Sequence, residues 1–302
     1  MTAEPGAGLA AILPVLRCPV CAGALVPAGA DGAGAGGAGG VRCPAGHGFD
    51  VGRGGYLSLR GGRARRVTGD TAEMVAAREA FLGAGHYRPL TARLGELAAG
   101  ARAGEAPGTV PVLLEIGAGT GHHLAGVLAA LPADALGVAA DVSPPALRRA
   151  ARAHPRIGAV AFDAAGAWPV RDGSVGVLLD VFAPRHPDEM RRVLRPGGQL
   201  LIVTPAPGHL GELRGPLGLV GMQAGKADRL DERMTGRFTA DAVECLDVPL
   251  SLSVDEAVDL ALMGPTGHHR TPADLRARAA AHWAQDTVQT IARFQLHPFR
   301  PR

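Results

Sequence analysis

The heptapeptide Glu115-Ile116-Gly117-Ala118-Gly119-Thr120-Gly121 constrains this chain most. Its glycines let the backbone turn sharply and let a ligand approach without meeting a Cβ. Alone such a run is weak. Here an apolar stretch, residues 110–116, precedes it, and a helical pattern, residues 122–131, follows it. That strand–loop–helix setting is the one a nucleotide cradle needs. The alternation continues with strands expected at 137–140, 157–162, 175–181 and 199–204, and helices at 144–154 and 187–194. Strands alternating with helices predict an α/β fold with a doubly wound parallel sheet, and a ligand at the carboxyl ends of its strands.

The second strand ends in Asp141, about twenty residues beyond the loop, where a carboxylate can accept from both ribose hydroxyls. A nicotinamide dinucleotide enzyme would share that layout. Three details favour S-adenosylmethionine: the Gly-x-Gly-x-Gly spacing, the acidic Glu115 before the loop, and Asp163 closing the third strand. Leu194-Arg195-Pro196-Gly197-Gly198 gives the turn expected before the fifth strand. The predicted fold is class I (Rossmann-like), of the S-adenosylmethionine-dependent methyltransferase type. Asp141 and Asp163 have plainer readings too, as a helix-end ion pair and as surface turn chemistry.

A second chemistry stands near the N-terminus. Cys18-Pro-Val-Cys21 is followed by Cys43-Pro-Ala-Gly-His47, two close ligand pairs that suit one tetrahedral zinc ion. A redox dithiol would instead open a helix in a βαβ unit. The Gly/Ala tract 28–40 between the pairs is expected to be a flexible loop. Residues 41–66 carry Arg42, Arg53, Arg60, Arg63, Arg65 and Arg66 against Asp50 alone, with Tyr56 among them. Guanidinium forks bind phosphate and an aromatic can stack on a base, so this stretch is an RNA-binding candidate. A solvated basic linker is the bland alternative. Cys245 reads as a buried free thiol in an apolar context.

Residues 71–97 read as mainly helical, capped by Asp70 or Thr71 and broken near Gly83 and Gly85 before Tyr87. Hydrophobic residues are 47% and charged residues 20%, enough for a real core. No apolar run is long enough to cross a bilayer, and no signal-peptide pattern opens the chain. A cytoplasmic protein without a membrane partner is expected. Of 31 Lys and Arg residues only Lys226 is lysine, which fits a GC-rich coding bias, and the net charge of +3 says little by itself.

Further runs complete the pattern: Gly48-Phe49-Asp50-Val51, Gly55-Tyr56-Leu57, Gly69-Asp70-Thr71-Ala72-Glu73-Met74, Gly85-His86-Tyr87, Val181-Phe182-Ala183-Pro184-Arg185, Thr204-Pro205 through His209-Leu210, and Met263-Gly264-Pro265. With them, residues 16–272 resemble the bacterial 23S rRNA (guanine-N1)-methyltransferases of the RlmA type. Gly121-His122-His123-Leu124 and Phe182-Ala183-Pro184-Arg185 are most similar to the tylosin-resistance branch. That branch methylates a guanine in a domain II hairpin near the exit tunnel where macrolides bind. Both a housekeeping role and macrolide resistance accord with the resemblance.

The resemblance implies zinc at Cys18, Cys21, Cys43 and His47, and cofactor contacts at Tyr87, Gly119, Thr120 and His209. With the loop reading, the cofactor set adds Glu115, Gly117, Gly121, His122, Asp141 and Asp163. Phe182 is the candidate platform for an extruded guanine and Asp180 the candidate proton acceptor, or else a cap or ion-pair partner. Two departures from the family stand out: the longer tract 28–40, and Thr266-Gly267-His268-His269 where a tryptophan is usual. The expected organisation is a zinc-binding, RNA-recognition module over 1–66, a helical connector contributing to the cofactor site over 67–106, and the methyltransferase domain over 107–302. A homodimer would set two zinc modules around one RNA. The rival functions are a methyltransferase of a small molecule or another RNA, and a non-catalytic zinc RNA-binding protein.

Overall fold

Glu115 is the one polar side chain in strand β5 (Val112–Ile116), and every residue of that strand is buried. A strand buried on both faces needs a layer on each. Leu113 packs into one apolar layer, and Val112, Leu114 and Ile116 into the other, as the two-residue period of a strand requires. The structure, a computed structural model, describes residues 6–28, 40–60, 68–101, 110–220, 230 and 232–302.

Four short strands come first: β1 (Val26–Pro27), β2 (Gly40–Arg42), β3 (Gly48–Gly52) and β4 (Tyr56–Ser58), after helix α1 (Ala7–Ile12). Helices α2 (Ala72–Gly83) and α3 (Arg88–Gly100) lead to β5. Then follow α4 (His122–Ala129), β6 (Leu136–Asp141), α5 (Pro144–Ala153), β7 (Ile157–Ala161), β8 (Val175–Val181), α6 (Pro187–Val193) and β9 (Leu194–Pro205). The chain continues through α7 (Gly211–Leu217), β10 (Phe238–Ala240), β11 (Glu244–Ser253), α8 (Val254–Leu262), α9 (Pro272–His282) and β12 (Thr287–Pro301).

The described strands form one sheet in the order β1-β2-β3-β4-β7-β6-β5-β8-β9-β12-β10, with β11 on β12. From β4 to β9 all pairs are parallel, and β12 is antiparallel to β9, β10 and β11. Side chains of α2, α3, α4, α5, α7, α8 and α9 fill one face, and those of α1 and α6 fill the other. The N-terminal strands are not a separate sheet: Leu57 and Ser58 of β4 pair with Val160 and Ala161 of β7. The segment that carries Cys18, Cys21, Cys43 and His47 is thereby fastened to the large sheet. The tract 29–39 lies outside the described residues.

Local chemistry explains the boundaries. The Thr71 hydroxyl accepts the Met74 N–H at 3.2 Å and starts α2. The helix expected over 71–97 divides at residues 84–87, and α3 starts at Arg88, with Pro89 in its first turn where a missing N–H costs nothing. Strand β9 starts at Leu194, earlier than expected, because the Arg195–Gly198 turn is drawn into the ladder beside a register shift in β8. Cys245 corrects an expectation: it is exposed on β11, where alternation turns Val248, Leu250 and Leu252 inward instead. Among the described residues, no helix is long and apolar enough to cross a membrane.

Helix α1 approaches β7 so closely that a Cβ on Gly8 would overlap the Ile157 carbonyl, and one on Gly158 would overlap the Ile12 side chain. Gly8→Ala is therefore expected to destabilise by ~1–3 kcal/mol through overpacking. Gly83→Ala, with no atom within 4 Å of the new methyl, is expected to be neutral or stabilising by up to ~1 kcal/mol. Urea midpoints at equal m-value check the pair.

Candidate functional site

The carboxyl ends of β5, β6, β7 and β8 open into one cleft of about 1390 Å³. Tyr87, Gly117, Gly119, Asp141, Asp163, Phe182 and His209, all singled out from the sequence, line it. Glu115 and His122 line a recess of about 40 Å³ that shares Tyr87, Gly117 and Phe182 with the cleft. Thr120 and Gly121 line neither. Gly121 adopts φ 75°, and a Cβ there would stand 3.1 Å from Ala150 Cα, so this glycine serves loop-to-helix packing. Gly117, at φ 64°, leaves a cradle whose Cβ would meet Ala183 at 2.8 Å.

Asp141 organises the loop. Its Oδ2 accepts the Gly119 N–H at 2.8 Å and its Oδ1 accepts the Ser143 N–H at 2.8 Å. Burial raises its pKa, partly offset by those two amides. Glu115 accepts the Leu124 N–H at 3.2 Å, and burial, only partly offset by that bond, raises its pKa to about 8. Asp163 accepts the Ala165 N–H at 2.9 Å in a turn after β7. Burial depresses the pKa of His122, and brings His209 to about 4 although the Arg293 main chain opposes the shift. Tyr87 sits at the break between α2 and α3, buried edge-on between Phe81 and Phe294, where burial raises its phenol pKa.

Phe182 is exposed by 45%, adopts φ 59°, and lies 6.2 Å from His209 and 6.0 Å from Phe294 between ring centroids. Asp180, expected in the target pocket, is instead fully buried and outside the cleft lining. Its Oδ1 accepts the Ala183 N–H at 3.2 Å and its Oδ2 stands 3.6 Å from Arg185 Nε. Burial raises its pKa to about 7, with Arg185 and the Ala183 amide opposing.

The sequence reading missed Arg78. Its Nη2 donates to Asp70 Oδ2 and to the Met263 carbonyl, both at 2.6 Å, and it lines cleft and recess alike. Its spacing of four from Met74 and three from Phe81 on α2 was the available signal. Arg214 and Arg233 were also missed on the lining, in a stretch with no regular motif.

At the N-terminal module, Cys18, Cys21, Cys43 and His47 bring their ligand atoms within 4.8 Å of one another. Cys21 and Cys43 sulfurs are 3.5 Å apart, and His47 Nδ1 lies 3.3 Å from Cys43 and 3.7 Å from Cys18. Zinc bonds of about 2.3 Å in a tetrahedron set sulfurs ~3.8 Å apart, so this donor set fits. Burial raises the Cys43 pKa, but hydrogen bonds from His47 and the neighbouring thiols outweigh it and bring it to about 6. Arg53 is exposed in the turn before β4, while Arg42 and Arg60 are half-buried. The Tyr56 ring lies over Gly52 and packs against the core. Arg63, Arg65 and Arg66 lie outside the described residues.

A family model described as a methyltransferase domain matches residues 113–198. The chain is 47% identical over 299 residues to a protein of Micromonospora griseorubida assigned as a 23S rRNA (guanine-N1)-methyltransferase, covering 96% of this chain and 98% of that one. It is 45% identical over 265 residues to the 23S rRNA (guanine(748)-N1)-methyltransferase of Streptomyces fradiae, covering 88% and 90%. A relative in Bacillus subtilis strain 168, also assigned as a 23S rRNA (guanine-N1)-methyltransferase, is 29% identical over 203 residues, covering 66% and 67%.

The raised Asp180 pKa has a stability consequence. The folded state holds that proton up to about pH 7, whereas the unfolded carboxyl loses it near 3.8. Asp180 therefore withdraws stability as pH rises across that window. The difference in unfolding free energy between Asp180→Asn and the parent is expected to grow in the variant's favour from pH 4 to pH 7. Chemical denaturation at stepped pH checks the sign.

Proposed function

Because this chain belongs to the 23S rRNA (guanine-N1)-methyltransferases, we propose that it methylates N1 of one guanine in a domain II hairpin of 23S rRNA near the macrolide-binding exit tunnel. The nucleotide would be the counterpart of guanine 748, the target named for the Streptomyces fradiae relative. Protection against tylosin-type macrolides and a place in the cytoplasm belong to the same reading. The observation that carries it is a cleft with divided charge. Asp70, Asp141 and Asp163 come from the half of the cleft beside β6 and β7, where Arg78 offsets Asp70 and leaves an acidic excess, and Arg185, Arg214 and Arg233 come from the segments after β8 and β9. The acidic half suits a cationic cofactor with ribose hydroxyls, and the basic half suits a polyanion.

S-adenosylmethionine, when bound, supplies an electrophilic methyl group. The residues proposed to hold it are Tyr87, Glu115, Gly117, Gly119, His122, Asp141, Asp163 and His209. The loop glycines admit it close to the backbone, and Asp141 keeps lone pairs for ribose beyond its two amide bonds. Phe182 presents an exposed ring at the lip, a platform on which an extruded guanine can stack. Asp180 is proposed to position this platform, not to meet the base, since its carboxyl holds the Ala183 amide beneath the lining. Most of the rate then rests on orientation of the two reactants.

The N-terminal module is proposed to bind one structural zinc and, with Arg42, Arg53, Arg60, Arg63, Arg65 and Arg66, to grip the rRNA backbone. The Cys3His geometry supports the first part, and the pairing of β4 with β7, which joins the module to the sheet that carries the cleft, supports the second.

Purified protein incubated with S-adenosylmethionine and 23S rRNA is expected to produce a single N1-methylguanine, seen as one new primer-extension stop in the domain II hairpin. A stop elsewhere would reassign the target, and none would remove the function. Elemental analysis is expected to find one zinc per chain. Chelation, or Cys43→Ser, is expected to lower Tm by at least about 5 °C and weaken rRNA binding while sparing cofactor affinity. Unchanged Tm on metal removal would overturn the structural role of the ion.

A further inference from the structure

Arg78 lines both the cleft and the recess, and its charge is held in place yet not fully used. Its Nη2 is committed to Asp70 and to the Met263 carbonyl, while its Nε is buried without a hydrogen-bond partner. A Cβ built on Gly119 would stand 3.2 Å from Arg78 Cδ and 3.4 Å from Nε. The guanidinium therefore lies against the glycine loop, over the bare backbone. It also lines the recess formed with Glu115, Gly117 and Tyr87.

Asp141 lines the larger space and not the recess. With the ribose at Asp141, the recess is left for the amino-acid end of the cofactor. Among the residues that line it, Arg78 is the one cation at neutral pH, because burial leaves His122 and His123 with lowered pKa values. An α-amino acid carries a carboxylate and an ammonium group. Glu115 is the one acid among the same lining residues; burial holds its proton up to about pH 8, and an ammonium group beside it would favour the charged form.

The geometry points to Arg78 as the group that binds the α-carboxylate of S-adenosylmethionine, with Asp70 and the Met263 carbonyl fixing its guanidinium. This rests on the cofactor reading above. It also gives α2 a role in cofactor selection beyond packing: a nucleoside lacking the carboxylate would leave Arg78 facing an empty recess.

Titration calorimetry on the full chain tests this with S-adenosylmethionine and its decarboxylated analogue, which differ in that group alone. The parent is expected to bind the complete cofactor about 10- to 100-fold more tightly, the range of a charge-assisted hydrogen bond. Arg78→Met is expected to lose that preference while binding the analogue within about twofold of the parent, and Arg78→Lys is expected to retain part of the preference. Equal affinity of the parent for both compounds would overturn the assignment without touching the cofactor reading. So would an Arg78→Met variant that stays folded by circular dichroism and weakens both compounds equally, since that is the mark of a purely structural tie. Failure of the parent to bind either compound would overturn the cofactor reading, and this assignment with it.

Discussion

Asp141 anchors a relay of hydrogen bonds on which the cleft depends. One carboxylate oxygen holds the Gly119 amide and the other holds the Ser143 amide, each at 2.8 Å. The Ser143 hydroxyl in turn donates to the Asp70 carbonyl at 2.7 Å, and the Asp70 carboxylate receives Arg78, which also reaches Met263. Four segments separated in sequence meet in this line: the glycine loop, the start of α5, α2 with the residues leading into it, and the end of α8. A buried carboxylate left without partners would cost several kcal/mol, so its two amide bonds are a condition of the fold as well as of the site.

The parallel sheet was legible in the sequence because its signals are local. β5 through β9 are apolar runs bounded by glycine, proline or an acid, and Val175–Val181 occurs at its expected limits. Asp141 and the glycine loop were legible for the same reason: their roles follow from strand ends and backbone freedom. Arg78 was not. Its role depends on a hydrogen bond to Met263, 185 residues away, and no periodicity encodes that contact. Asp180 shows the opposite limit. Its place at the end of β8 was readable, but whether its carboxyl turns to the cleft or beneath it is decided by the Ala183 amide and Arg185. Cys245 failed for a simpler reason, since strand alternation sets which side faces water and composition does not.

The metal-ligand segment shows how a small element can be made rigid. Its strands are only two to five residues long and could not bury enough apolar surface to stand alone. Two attachments offset this. β4 continues the large sheet beside β7, and α1 packs so closely on β7 that glycine is required on both sides. The Cys/His cluster is thereby tied to the sheet whose strand ends form the cleft. Such an attachment would suit the proposed grip on rRNA, because orienting a substrate is worth more when both contacts belong to one body.

Phe182 bears the energetic cost of this arrangement. A non-glycine residue at φ 59° costs on the order of 1–3 kcal/mol, and surrounding structure must hold it there. Here the Ala183 amide bound to Asp180 fixes the residue that follows, and β8 fixes the residue that precedes. The strain turns a large aromatic ring outward at the lip, where 45% of it meets solvent. Burial would have been the favourable choice for that ring, by roughly 2 kcal/mol. Both costs fall on one residue, and a stacking ligand would recover the second of them. The buried Asp180 thus matters through geometry: its carboxyl keeps the turn in the one conformation that leaves the ring available.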